Sequence, residues 1–167
     1  MQFTTKLLID AAVIDQRLQS LVAQVLATIH SVGEGITVLV ATESSETFAH
    51  TFCRLFLAQD IPCNLVHNYG VPTAKWITEQ NWLGTMIIVQ DVSSTGQHLA
   101  TLKTAYAEQL PFEVYTLSVL YKYQAPSNVC YPLPDWVGFN IPNEFVIGCG
   151  MGAHGLGGQS TSIQVLA

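Results

Sequence analysis

The stretch that most constrains this chain is Met86-Ile87-Ile88-Val89-Gln90-Asp91-Val92-Ser93-Ser94-Thr95-Gly96-Gln97-His98. Four successive apolar residues, three of them β-branched, are too few for a helix and predict a strand buried on both faces. The run stops at an acid. Ser93 to Gly96 then form a small polar turn, after which Leu99, Leu102, Ala105, Tyr106 and Leu110 recur at helical spacing, predicting a helix over 96–110. Such a turn leaves backbone N–H groups unpaired where the helix dipole adds partial positive charge, so it suits a phosphate dianion without a lysine. The plainer alternative is an ordinary helix N-cap, for which Ser, Thr and Asp are the usual residues. A P-loop is excluded, because no G-x-x-x-x-G-K-[ST] surrounds Gly96.

Strands and helices alternate on either side. Leu7 to Asp10 is a short apolar entry, and Ile14, Leu18, Leu21, Val22, Val25, Leu26 and Ile29 mark one face of a helix that Gly33 and Gly35 should end. Ile36–Ala41 reads as a buried strand, and Ser44 or Ser45 as the cap of a helix whose inner face is Phe48, Phe52, Leu55 and Phe56. Asp60-Ile61-Pro62 breaks that helix, and Cys63–His67 is the next strand. Asn68-Tyr69-Gly70 opens a polar stretch reaching about Asn81. Phe112–Tyr121 is a further strand with Lys122 at its carboxyl end, residues 123–134 are an irregular connection, and short strands follow near 136–141 and 145–149. This order predicts an α/β fold: a twisted, mainly parallel sheet with helices on both faces. Ligands bind such sheets beyond the carboxyl ends of the strands. Thr42–Ser45, Asn68–Gly70, Asp91–His98, Lys122 and Trp136 are all predicted on that edge.

The length of 167 residues suits one domain, 1–167, with a core that needs neither disulfide nor metal. Hydrophobic residues make up 49% and charged residues only 11%, so a homo-oligomer, dimer or tetramer, is expected. A formal charge of −6 excludes a nucleic-acid partner, and apolar runs far shorter than a bilayer span predict neither a membrane segment nor a secretion signal. Cys53, Cys63, Cys130 and Cys149 lack C-x-x-C pairing and read as small buried thiols of a reducing cytoplasm. The tail from Gly148 to Gly158 contains G-x-G repeats, but too little chain follows for a dinucleotide fold.

Two motifs carry a resemblance. The central stretch resembles the phosphoribosyl-pyrophosphate motif of type I phosphoribosyltransferases: four apolar residues, two acids, two spacers, then Asp-Thr-Gly. Asp135-Trp136-Val137-Gly138-Phe139-Asn140-Ile141-Pro142-Asn143-Glu144-Phe145-Val146-Ile147-Gly148 resembles the C-terminal signature of the hypoxanthine-guanine branch. The resemblance implies a small hood over the sheet edge, from about 1–12 and 124–167. It also implies transfer of phosphoribosyl from phosphoribosyl pyrophosphate to a purine in salvage metabolism, with Mg2+ as cofactor when active.

Carried over one residue at a time, the phosphate cradle falls on Ser94, Thr95, Gly96, Gln97 and His98. The purine slot falls on Lys122, Trp136 and Val137, and a mobile loop on Tyr69, Gly70 and Lys75, with Asn68 standing for the family's Ser. Asp91 remains to orient ribose hydroxyls and as a weak metal ligand, while Gln90 replaces its acidic neighbour. Ser94 stands at the family's general-base position, where a hydroxyl without a partner cannot hold a proton near neutral pH; His98 is the available substitute. Glu43 stands where the family has a lysine beside pyrophosphate, a placement that costs several kcal/mol even at an effective dielectric of about 20. Gly152 and Gly158 replace a magnesium-linked Asp and a pyrophosphate Arg. The losses fall on leaving-group and proton chemistry, so the expectation is a cytoplasmic protein that binds a purine nucleoside monophosphate with catalysis reduced or lost. The alternatives are an active purine phosphoribosyltransferase and a purely structural relative.

Overall fold

The computed structural model describes residues 4–30, 33–123, 130–152 and 157–166. Its elements run β1 (Thr5–Ile9), α1 (Ala11–Thr28), β2 (Ile36–Val40), α2 (Glu46–Leu57), β3 (Cys63–His67), α3 (Ala74–Thr78), β4 (Thr85–Ser93), α4 (Gln97–Ala107), β5 (Val114–Lys122), β6 (Trp136–Ile141), β7 (Val146–Ile147) and β8 (Ile163–Leu166). Five strands form one sheet in the order β3-β2-β4-β5-β6, each pair parallel. The central position of β4 follows from its composition, since only a strand covered on both sides can hold Met86 to Val89 wholly out of water.

Alternation along the strands separates two cores. Val38 and Val40 of β2 and Ile87 and Val89 of β4 face Leu21, Val25, Phe48 and Phe52 of α1 and α2. Leu39, Met86 and Ile88 face Leu99, Leu102 and Tyr106 of α4, with Trp76 and Trp82 packed at the margin. The layered α/β architecture read from the sequence is therefore the observed one.

Several local expectations are corrected. The central strand does not stop at Asp91 but continues to Ser93, still paired with β5 through Val92↔Leu120 and Ser93↔Tyr121. Helix α1 ends at Thr28, ahead of the glycines. Gly35 instead shapes the entry to β2, with φ 92° and a Cβ position only 2.7 Å from the Pro62 carbonyl. Residues 136–141 belong to the main sheet as β6, not to the hood, and the hood is a separate antiparallel sheet in the order β1-β8-β7. Its middle strand lies beyond the glycine tract, in the tail. Part of the irregular connection, 124–129, lies outside the described residues. Among the described residues no helix is long and apolar enough to cross a membrane.

Asp135, just ahead of β6, fixes that strand. Its Oδ2 accepts from the Thr116 backbone N–H at 2.8 Å and the Thr116 hydroxyl at 3.0 Å, and both its oxygens accept from Lys103 Nζ. Asp135→Ala is expected to destabilise the fold by about 1–3 kcal/mol, because the Thr116 N–H loses its acceptor inside the structure. Lys103→Ala, which removes a partly solvated charge, is expected to cost under about 1 kcal/mol. Urea unfolding of both variants checks the difference.

Candidate functional site

At the carboxyl edge of the sheet, β2 and β4 end on a shared polar junction. Asp91 is 6% exposed, and its Oδ1 accepts from the hydroxyls of Thr42 and Ser45, each at 3.1 Å. Ser45 Oγ in turn accepts from the Asp91 backbone N–H at 2.9 Å, and Thr42 Oγ1 and Ser45 Oγ also touch, so two hydroxyl protons are shared among three oxygens. The sequence reading assigned Ser44 or Ser45 to cap α2; the structure shows no such cap, because the Ser45 hydroxyl is spent on Asp91. Asp91 thus holds the Thr42–Ser45 turn in place, and one of its two oxygens is already doubly engaged.

Asp91 lines a cleft of about 210 Å3 with Ser44, Lys122, Phe145, Val146 and Gly152. The structure brings Asp91 and Lys122 together but corrects the purine slot. Trp136 sits opposite Leu117 at the start of β6, whereas Lys122 pairs with Ile141 at its end. Five residues of strand separate the two levels, about 16 Å. The indole is 7% exposed and packs on Tyr115 at 5.1 Å between centroids. Val137 is also committed, since its carbonyl accepts from Arg17 Nη2 at 2.8 Å while Arg17 Nε bonds the Gly138 carbonyl at 2.8 Å. Phe145 and Val146 stand where Trp136 and Val137 were expected. Both lie in the same signature, and Phe145 is 55% exposed, the condition for an aromatic face to meet a ligand. A larger groove of about 660 Å3 between α4 and Tyr131–Leu133 shares no lining residue with this cleft.

The expected cradle follows β4 directly. Ser94 is exposed, Thr95 half-buried, and Gly96 takes φ 79° at the N-cap of α4, a left-handed conformation that a side chain would strain. The Gln97 backbone N–H donates to Thr95 Oγ1 at 3.3 Å, so one amide of this helix end is already engaged locally. His98 Nε2 bonds the Ala41 carbonyl at 3.2 Å. A carbonyl only accepts, so Nε2 carries the proton and cannot act as a base while that bond lasts. Gln90, in the place of an acid, donates from Nε2 to the Val92 carbonyl at 2.9 Å, a bond that a carboxylate could not make. Its Oε1 is buried without a protein partner.

The segment expected to be mobile is anchored at its base. Asn68 Nδ2 donates to the Tyr106 hydroxyl at 2.9 Å, and burial pushes that phenol up to about 12, so it stays neutral. Gly70 N–H donates to Asn68 Oδ1, leaving Tyr69 exposed. Beyond it the polar stretch contains α3, whose Ile77 is buried, and Lys75 lies on that helix, 86% exposed and 3.8 Å from Glu79. Among the described residues Lys122 is the only cation lining the cleft, and Asp91 its only carboxylate. Magnesium requires an octahedral oxygen set, usually of one or two carboxylates with phosphate oxygens. A single carboxylate with Oδ1 already bonded, facing Gly152, does not fit that requirement. The thiols are free: Cys53 and Cys149 are buried, Cys63 is half-buried, and Cys130 is exposed, contrary to the expectation. Burial pushes Cys149 up to about 11 and raises Cys63 as well, which keeps both un-ionised.

No protein-family model matches the chain. Over 63 residues, 38% of the chain, it is 41% identical to a hypoxanthine-guanine phosphoribosyltransferase of Canis lupus familiaris, of which the matched stretch covers 28%. A similar stretch is 38% identical to phosphoribosyltransferase domain-containing protein 1 of Xenopus tropicalis, covering 27% of that protein. Among solved structures, the hypoxanthine phosphoribosyltransferase of Trypanosoma cruzi in complex with the product IMP superposes with a TM-score of 0.78 at 21% identity, covering 97% of this chain and 94% of that one. The HGPRT-ase of Leishmania tarentolae in complex with GMP gives a TM-score of 0.79 at 18% identity, covering 100% and 99%.

The junction makes its own prediction. Ser45→Ala removes the acceptor for the buried Asp91 N–H and is expected to cost about 1–3 kcal/mol, lowering Tm by roughly 2–10 °C. Asp91→Asn keeps an acceptor oxygen for both hydroxyls and is expected to stay within about 1 kcal/mol of the parent in thermal and urea melts.

Proposed function

We propose that this chain, a type I phosphoribosyltransferase of hypoxanthine-guanine-like kind, binds a purine nucleoside monophosphate and carries out phosphoribosyl transfer at a reduced rate or not at all. The base lies against Phe145 beside Val146, Lys122 donates to its 6-oxo group, and the 5′-phosphate meets the amides of Ser94 to His98. The observation that carries this reading is the composition of the Asp91 cleft. Among the described residues it retains an aromatic face and one ammonium, which suit an oxopurine, with no second cation beside them.

Reaction at the ribose carbon needs a group to take the purine proton and charge to stabilise the departing pyrophosphate. Ser94 has no adjoining base, His98 Nε2 is held on a carbonyl, and Asp91 is tied to two hydroxyls. Glu43 adds negative charge to the turn where pyrophosphate would approach. Binding of the monophosphate places no demand on any of these groups. An active purine phosphoribosyltransferase is the second reading, supported by the near-complete overlap with solved enzymes; it would use Mg2+.

IMP and GMP are expected to bind and to raise Tm, while phosphoribosyl pyrophosphate with magnesium binds feebly, as read by calorimetry and thermal shift. Phe145→Ala is expected to weaken IMP by about 1–3 kcal/mol, the usual worth of a base on an aromatic ring. Trp136→Phe, deep beneath Tyr115, is expected to leave that affinity unchanged. Efficient conversion of hypoxanthine or guanine would replace this reading with the second.

A further inference from the structure

On the far side of the edge from the purine cleft, three side chains converge from two elements. Glu46 and His50 lie one turn apart at the start of α2, and His67 is the last residue of β3. Both imidazole Nε2 atoms stand 3.4 Å from the same oxygen, Glu46 Oε1, and all three ligand atoms lie within 4.8 Å of one another. The bland reading is a surface carboxylate complementing a helix N-terminus, with a histidine at i+4. That reading does not account for His67, which arrives from a different element and aims at the same oxygen.

The distances also separate the readings. Charge-assisted hydrogen bonds from imidazolium to carboxylate close to about 2.7–2.9 Å. Ligand atoms that share a tetrahedral ion at about 2.0–2.1 Å stand roughly 3.3 Å from each other. Two of the three separations, at 3.4 Å, come near that spacing, and the third pair, the two imidazole nitrogens, lies within 4.8 Å, so a small side-chain adjustment would close the set on an ion. Two neutral imidazoles and one carboxylate form a donor set of intermediate softness, suited to zinc, nickel or copper and poorly suited to magnesium. The side chains are roughly half exposed, at 47%, 56% and 43%, so an ion can enter and keep water on an open position.

We propose that Glu46, His50 and His67 form a three-ligand site for a zinc-class divalent cation, one that bridges the first turn of α2 to the carboxyl end of β3. It is independent of nucleotide binding. The bridge ties down the residue immediately before Asn68-Tyr69-Gly70, so metal occupancy stiffens the base of that segment.

The test is titration of the untagged full chain with Zn2+ alone, followed by calorimetry and thermal melting. One ion per chain is expected to bind in the micromolar range and raise Tm. Co2+ in its place is expected to give visible d–d bands without the near-ultraviolet charge transfer of a thiolate ligand. His50→Ala with His67→Ala is expected to weaken Zn2+ at least about tenfold and abolish the Tm gain. Without metal, its far-ultraviolet dichroism should match the parent, and His98→Ala should keep the parent's affinity. Absence of saturable binding at millimolar Zn2+, a thiolate band with Co2+, or an unchanged affinity in the double variant would each overturn the proposal.

Discussion

The junction of Thr42, Ser45 and Asp91 fastens the carboxyl ends of the two central strands to each other and to the start of α2. A buried carboxylate is costly unless its oxygens are satisfied, and here two hydroxyls meet one of them while the backbone amide of Asp91 itself returns a bond to Ser45. That mutual satisfaction lets β4 run on past its acid to Ser93, so the turn that follows opens directly into α4. The same bonds commit Oδ1 of Asp91 to the architecture.

Charge is scarce in this chain, and where it is placed decides what the site can do. Arg17 clamps the carbonyls of Val137 and Gly138, Lys103 holds Asp135, and Lys75 faces Glu79. Among the described residues Lys122 is the one cation that lines the cleft beside Phe145. Arg17, Lys103 and Lys75 are thus engaged by partners of their own, and the cleft is left with a single ammonium.

What the sequence made legible follows from how strongly each segment dictates its surroundings. Met86 to Val89 can exist only between two apolar layers, and so the layered sheet, its order of elements and the helix after Gly96 could all be read directly. Trp136 to Ile141 alternates weakly, and a short alternating run does not say which sheet it joins; only pairing with β5 places it. The tail strand Ile163–Leu166 is four residues behind a glycine tract, too brief to announce itself. The signature contains two aromatics, and exposure, which the sequence does not display, tells Phe145, which lines the Lys122 cleft, from the buried Trp136. The convergence of Glu46, His50 and His67 was invisible for a different reason: sixteen residues of chain lie between His50 and His67, and the fold alone brings them together.

The hood owes its cohesion to β8, which lies between β1 and β7 and bonds to both. Neither flanking strand can complete its hydrogen bonding without residues 163–166. Phe145, immediately before β7, therefore owes its position to a strand pairing made by residues distant in sequence, and the aromatic wall of the cleft is only as firm as the hold of β8 on β7.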